Sequence, residues 1–219
     1  MIGENQLRRR LLLAGTVGLV AAGLLPGTAG AAALDVVEPD IDSTLEWNAR
    51  PPRSAVTVLR YRPSKIIIHH TVSENTTDFS RAQAYTHAHW VQDLHMDDNG
   101  WIDTGYHFVN SRGGWITEGR HSSLQTLTAG SSFVLGAHTS GQNDQAIGIA
   151  NEGSYHDGAV PTQAQWEVLA ILCAYTCERY GIPASQIYGH KDFVSTTLCP
   201  GVLHDMLPQL RSEVSAMLG

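Results

Sequence analysis

The sequence predicts an α/β or α+β domain built on a central mixed β-sheet flanked by helices. Three observations carry that expectation. Lys65–His70 reads K-I-I-I-H-H, a continuous apolar run suited to a strand covered on both faces. Trp166, Ala170, Cys173, Cys177 and Tyr180 recur at helical spacing and form one apolar stripe. Strand-like and helix-like segments then intermix along the chain, with no internal repeat.

Taken in order, the chain begins with what reads as an export signal over residues 1–33. Arg8, Arg9 and Arg10 form a basic start, Leu11–Leu25 an apolar stretch, and Ala29-Gly30-Ala31 or Ala31-Ala32-Ala33 a cleavage site. Gly15, Gly18, Gly23 and Pro26 leave the apolar stretch short for a bilayer span, so a mature chain without a membrane span is expected. The consecutive arginines suit the twin-arginine route. Residues 34–46 are acidic and non-periodic and read as a linker, and a single domain is expected over 47–219.

Inside that domain Thr77 or Asp78 is expected to cap a helix reaching Met96, with Ala84, Ala88, Val91 and His95 on one face. Gly105–Asn110 and Gly114–Glu118 read as a hairpin, and Val134–His138 and Ala146–Glu152 as two further strands. Thr162 with Gln165 matches a capping box for a helix that ends at Gly181 before Pro183. Ile187–His190 is a short strand, and Pro208 starts a terminal helix that turns Leu207, Leu210, Val214 and Met217 or Leu218 inward.

Composition narrows the function classes. With 219 residues, 42% hydrophobic and 16% charged, the chain can bury a sizeable core. Its formal charge is −7. Removing residues 1–33, which carry three arginines against Glu4, leaves about −9. An acidic domain without a Lys/Arg run excludes a nucleic-acid partner. Of the three cysteines, Cys173 and Cys177 fall on the buried stripe of a helix, and Cys199 lies in a loop before Pro200-Gly201.

That loop carries the chemistry. In G-H-K-D-F-V-S-T-T-L-C-P-G (189–201), His190 and Cys199 are both ligand types that Zn²⁺ prefers. His69, at the end of the apolar run, is the best third ligand. His70 must point to the opposite face because side chains alternate along a strand. A His₂Cys set leaves one tetrahedral position open, the pattern of a catalytic zinc.

Five ordered motifs extend this reading. They are W-N-A-R-P-P (47–52), I-I-I-H-H-T (66–71), G-W-I-D-T-G-Y-H-F (100–108) with E-G-R (118–120), G-A-H-T (136–139) with I-G-I (147–149), and G-H…T-x-C-P-G (189–201). Together they resemble the type-2 N-acetylmuramoyl-L-alanine amidases and peptidoglycan recognition proteins, over about residues 47–210. The resemblance implies zinc held by His69, His190 and Cys199, with Tyr106 beside the metal water and Thr197 as a second donor. Peptidoglycan is the implied partner and the cell wall or exterior the implied location.

Asn48 stands where that family has Gly, the His190–Cys199 spacing is one residue longer, and Ala150 stands where some members carry a catalytic Glu. Glu152, two residues on, is then a candidate acid or base. His95 and His138 fall near the motifs as candidate substrate-binding residues, and Asp192 as a partner for His190. His87, His89, His121, His156 and His204 read as ordinary. Two alternatives stay open beside the amidase: a wall-binding module without catalysis, and a zinc peptidase cutting within the stem peptide. Cys199 favours an enzyme, because relatives that only recognise the wall commonly carry Ser there.

Overall fold

The strand expected at Lys65–His70 forms over those residues as β3 and lies inside a six-stranded sheet. The computed structural model describes residues 36–219, so the expected export signal lies outside the described residues. Ile66, Ile67 and Ile68 are wholly buried, which is why an unbroken apolar run was needed here.

The sheet's other strands are β1 (Ile41–Asp42), β4 (Phe108–Asn110), β5 (Ile116–Glu118), β7 (Ala146–Asn151) and β8 (Ile187–Gly189), in the order β1-β5-β4-β7-β3-β8. Strands β4, β7, β3 and β8 run parallel, while β5 is antiparallel to β4 and parallel to β1. The sheet is therefore mixed, as expected. β2 (Val58–Leu59) and β6 (Phe133–Val134) form a separate antiparallel pair.

Register divides the sheet into two faces. Ile66, Ile68, Phe108, Ile116, Ile147, Ile149 and Ile187 join the main core with helices α3 (Gln163–Tyr180) and α5 (Leu207–Leu218). Helix α2 (Ser123–Ala129) adds Leu127 to that core. Helix α1 (Arg81–Asp93), extended by a π-helical turn over Leu94–Asp98, lies over the other face, where Gln83 reaches Glu152 and Arg81 reaches Asp42. His69 pairs with Ala150 and so shares that second face, while His70 pairs with Asn151. A short helix, α4 (Val202–Asp205), leads into α5.

Helix ends follow local chemistry. Thr162 Oγ1 accepts from Gln165 N at 3.1 Å, and Gly181 closes α3 in the left-handed region at φ 72°. The Gln165 side chain does not return to Thr162. It bonds Asn110 O and Glu152 O, so the cap forms without the box. Cys173 and Cys177 are free and buried in the α3 core face.

Three further expectations are corrected. The cap of α1 is Ser80, whose Oγ accepts from Gln83 N at 3.1 Å, while Asp78 in turn accepts from Ser80 N. Of Val134–His138 only Val134 is in a strand, since residues 136–139 are tied instead to Gly105 and Asn143. The acidic stretch read as a linker contributes β1, paired in register with Ile116 and Thr117. Asp42 is buried there because Arg81 binds it with two nitrogens, Nε at 2.8 Å from Oδ2 and Nη2 to Oδ1. Just beyond, Asn48 takes φ 55°, the conformation its Gly counterpart would adopt freely.

Removing the Asp42 carboxylate leaves the Arg81 guanidinium without its bidentate partner. Asp42→Ala is expected to lower stability by about 1.5–3 kcal/mol, the range for hydrogen bonds to charged groups, read as a lower urea midpoint with unchanged slope.

Candidate metal centre

Neighbouring parallel strands bring two histidines together. Ile68 of β3 is in register with Gly189 of β8, so His69 and His190 leave the carboxyl ends of adjacent strands. That end of a parallel sheet is where ligands bind in open α/β folds. His190 opens a 3₁₀ turn (His190–Asp192), and the loop returns when Lys191 N donates to Cys199 O at 2.9 Å. The loop between the two is held by its own backbone, where Val194 N donates to His190 O and Thr197 N donates to Val194 O. One ligand atom from each of His69, His190 and Cys199 falls within 4.8 Å of the others.

The donor set suits a divalent cation. Cys199 Sγ lies 3.7 Å from His69 Nδ1, and the His69 and His190 rings are 4.6 Å apart between centroids. Burial holds the pKa values of both imidazoles below the ordinary histidine value, so each keeps a lone pair for a metal at neutral pH. Burial also pushes the Cys199 thiol up to about 12, against which His70 N donates to the sulfur at 3.4 Å. Two neutral imidazoles and a thiol that a cation can deprotonate fit zinc among the common metals.

Other expected residues fall around this trio. The Tyr106 ring lies 5.0 Å from that of His69 and 5.1 Å from that of His95. His95 Nδ1 accepts from Gly105 N at 2.9 Å, which puts its ring proton on Nε2, and burial lowers its pKa to about 4. Thr197 Oγ1 accepts from Cys199 N at 3.1 Å, so it shapes the ligand loop while its own proton stays available.

Three others sit differently. Asp192 accepts from Gly189 N at 2.8 Å and lies 2.7 Å from His204 Nε2, so both its oxygens are engaged away from the His190 ring. Glu152 is buried between α1 and the β4–β5 turn, accepting from Gln83 Nε2 and Arg112 N, with His87 Nδ1 at 3.7 Å. His138, expected to contact substrate, lies behind His69. Its Nδ1 is 3.1 Å from His69 Nε2 and its Nε2 is 3.3 Å from Ala146 O, so both ring nitrogens are turned to the protein.

Sequence reasoning missed two histidines in polar clusters. His87 is buried on α1 beside Glu152, and His121 pairs with Asp103 at 2.9 Å. Asp103 Oδ1 also accepts from Thr104 N and Gln92 Nε2, which ties down the loop leading to Tyr106. Asp103 lies inside the G-W-I-D-T-G-Y-H-F motif, where nothing in the sequence points to His121 as its partner. Asn151, whose Nδ2 donates to His69 O at 3.0 Å, could have been noticed as an amide inside a strand.

Residues 59–202 match the family described as N-acetylmuramoyl-L-alanine amidase, Amidase_2. The chain belongs to this amidase family. Its relatives include a human N-acetylmuramoyl-L-alanine amidase, 33% identical over 174 residues. The match covers 77% of this chain but only 28% of that protein. The Drosophila melanogaster peptidoglycan-recognition protein SC2 is 33% identical over 162 residues, covering 74% of this chain and 80% of the relative. Among solved structures, Drosophila PGRP-LB has a TM-score of 0.64 at 27% identity, covering 82% of this chain and 94% of that one. The Clostridium intestinale amidase LysC has a TM-score of 0.62 at 25% identity, covering 81% and 98%. A further PGRP-LB structure holds tracheal cytotoxin. The amidase family thus joins enzymes and recognition proteins on one fold, and no helix of the described residues is long and apolar enough to cross a membrane.

The Asp103–His121 pair gives this amidase-family domain a pH-dependent element. Burial alone would raise Asp103, but hydrogen bonds from His121 and Thr104 outweigh it and hold the carboxyl below its ordinary value. The same pairing raises His121 against burial. His121 therefore stabilises the fold fully below its unfolded value and loses that effect as pH rises through its raised folded value. Asp103 stabilises above its unfolded value and loses that effect as pH falls through its lowered one. Both act together between about pH 4 and 6.5. Because His121 is partly solvent-screened, His121→Gln is expected to cost roughly 0.5–1 kcal/mol more at about pH 5.5 than at about 8.5, by urea unfolding at each pH.

Proposed function

We propose that this protein is a zinc-dependent amidase that hydrolyses the bond between N-acetylmuramic acid and L-alanine in peptidoglycan, acting outside the membrane after export through residues 1–33. The observation that carries the reading is the convergence of His69, His190 and Cys199 within 4.8 Å, with Tyr106 alongside. These three residues hold the ion, and as a three-ligand set they are of the open, catalytic kind. When bound, zinc supplies a Lewis acid that acidifies water and polarises the amide carbonyl.

The chain's own groups supply the rest. Burial raises the Tyr106 phenol above its ordinary value, so it stays protonated and donates a hydrogen bond to the oxyanion as it develops. His95, neutral and protonated on Nε2, is a second donor, its ring 5.1 Å from that of Tyr106. The Thr197 hydroxyl is a third, oriented by the amide of Cys199 that it accepts. Glu152 is held by Gln83 and Arg112 and ties α1 to the end of β7.

Zinc-loaded protein is expected to release stem peptides beginning with L-alanine from purified peptidoglycan, identified by mass. Chelation or Cys199→Ser is expected to abolish the release, and Tyr106→Phe to lower the turnover rate by about 10²-fold or more, the cost of losing one oxyanion donor. Wall binding without release by the zinc-loaded protein would replace the amidase with a recognition module. Fragments cut inside the stem peptide would replace it with a peptidase.

A further inference from the structure

We propose that His138 is a positioning residue: it fixes the ring proton of His69 on Nε2 and so turns the Nδ1 lone pair toward Cys199 and the ion. The inference rests on reading His69, His190 and Cys199 as a metal site, and its support is geometric. The Ala146 carbonyl can only accept, and His138 Nε2 faces it at 3.3 Å, so Nε2 of His138 carries the proton. Neutral imidazole has one N–H, which leaves His138 Nδ1 as an acceptor.

Two atoms face His69 Nε2: His138 Nδ1 at 3.1 Å and Thr139 Oγ1 at 3.4 Å. The Thr139 hydroxyl also lies 3.0 Å from His138 Nδ1. Should Thr139 donate to His138, its oxygen still accepts from His69; should it point elsewhere, His138 accepts from His69 directly. Both arrangements place the His69 proton on Nε2. A Thr139 hydroxyl donated to His69 instead would leave His69 Nε2 and His138 Nδ1 as two acceptors facing each other at 3.1 Å, which their lone pairs oppose. Its other nitrogen, Nδ1, is the one 3.7 Å from Cys199 Sγ.

The backbone is shaped to hold His138 in this place. Asn143 Oδ1 accepts both His138 N at 2.7 Å and Thr139 N at 2.8 Å. The imidazole lies flat against Gly148 of β7, where a Cβ would come within 2.5 Å of ring carbons Cδ2 and Cγ. The glycine of I-G-I is therefore the space that the histidine of G-A-H-T occupies. A ligand histidine whose second nitrogen is hydrogen-bonded has a set tautomer and ring angle, and loss of that partner typically weakens metal binding.

The test needs no wall substrate. Long-range ¹H–¹⁵N spectra of the metal-free protein labelled at histidine are expected to show the His69 proton on Nε2, and His138→Ala to give mixed tautomers. Zinc affinity, measured against a chromophoric chelator, is expected to fall about 10- to 100-fold in His138→Ala and to recover largely in His138→Gln, whose amide oxygen restores the acceptor. Gly148→Ala, which displaces the ring without removing it, is expected to weaken zinc binding in the same direction. A His69 proton found on Nδ1, or His138→Ala zinc affinity within about twofold of the parent, would overturn the proposal. If His138→Ala does not fold, the spectrum of the parent protein decides alone. A chain that binds zinc with the expected tautomer yet releases no peptide fails the amidase reading only.

Discussion

A histidine with no solvent exposure at the end of a central strand is costly to charge and costly to leave without partners, and the centre of this molecule is arranged around how His69 meets that constraint. His69 meets it with His138 and Thr139 on one side and the Cys199 sulfur on the other. Its backbone carbonyl is taken by the Asn151 side chain. The neighbouring strands must then offer small residues on this face: Gly148 lets His138 lie on the sheet, and Ala150 sits opposite His69 in register. Sheet packing and ligand geometry are one problem here.

The other half of the site depends on backbone conformation. Cys199 comes from a loop, and a loop holds a ligand only if its own polar groups are satisfied. Lys191 N, Thr197 Oγ1 and His70 N all converge on Cys199, bonding its carbonyl, amide and sulfur respectively. Directly after it, Gly201 takes φ 66° against the Tyr155 carbonyl, where a Cβ would fall 2.2 Å from the oxygen. No side chain fits there. The P-G ending of the motif is thus a packing requirement of the ligand loop, while Cys199 itself is the chemical one.

A second polar layer supports the first from behind. Asn151, Asn110, Gln165 and Tyr155 bond one another and the ends of β4 and β7, all buried. Such a network adds direction that an apolar core lacks, because each amide has few orientations that satisfy it. It holds the carboxyl ends of the strands in register beneath the histidines.

Much of this was legible in the chain. The apolar run gave β3, Thr162 and Gly181 marked the ends of α3, and strand alternation separated His69 from His70. Spacing and residue type also singled out His69, His190 and Cys199, because ligand chemistry restricts a site to a few side chains in recognisable contexts. Local signals served less well where a partner far along the chain decided the outcome. The acidic stretch around Asp42 read as a linker, and Arg81, 39 residues on, accounts for the burial of Asp42 in β1. His138 read as a cleft residue, and its pairing with His69 spans 69 residues. By itself the sequence determined which residues can bind a metal and where strands and helices begin, since those follow from side-chain chemistry and short-range sterics. Only the tertiary structure decided which nitrogen of each buried histidine is free, because a tautomer is set by whatever group stands across from the ring.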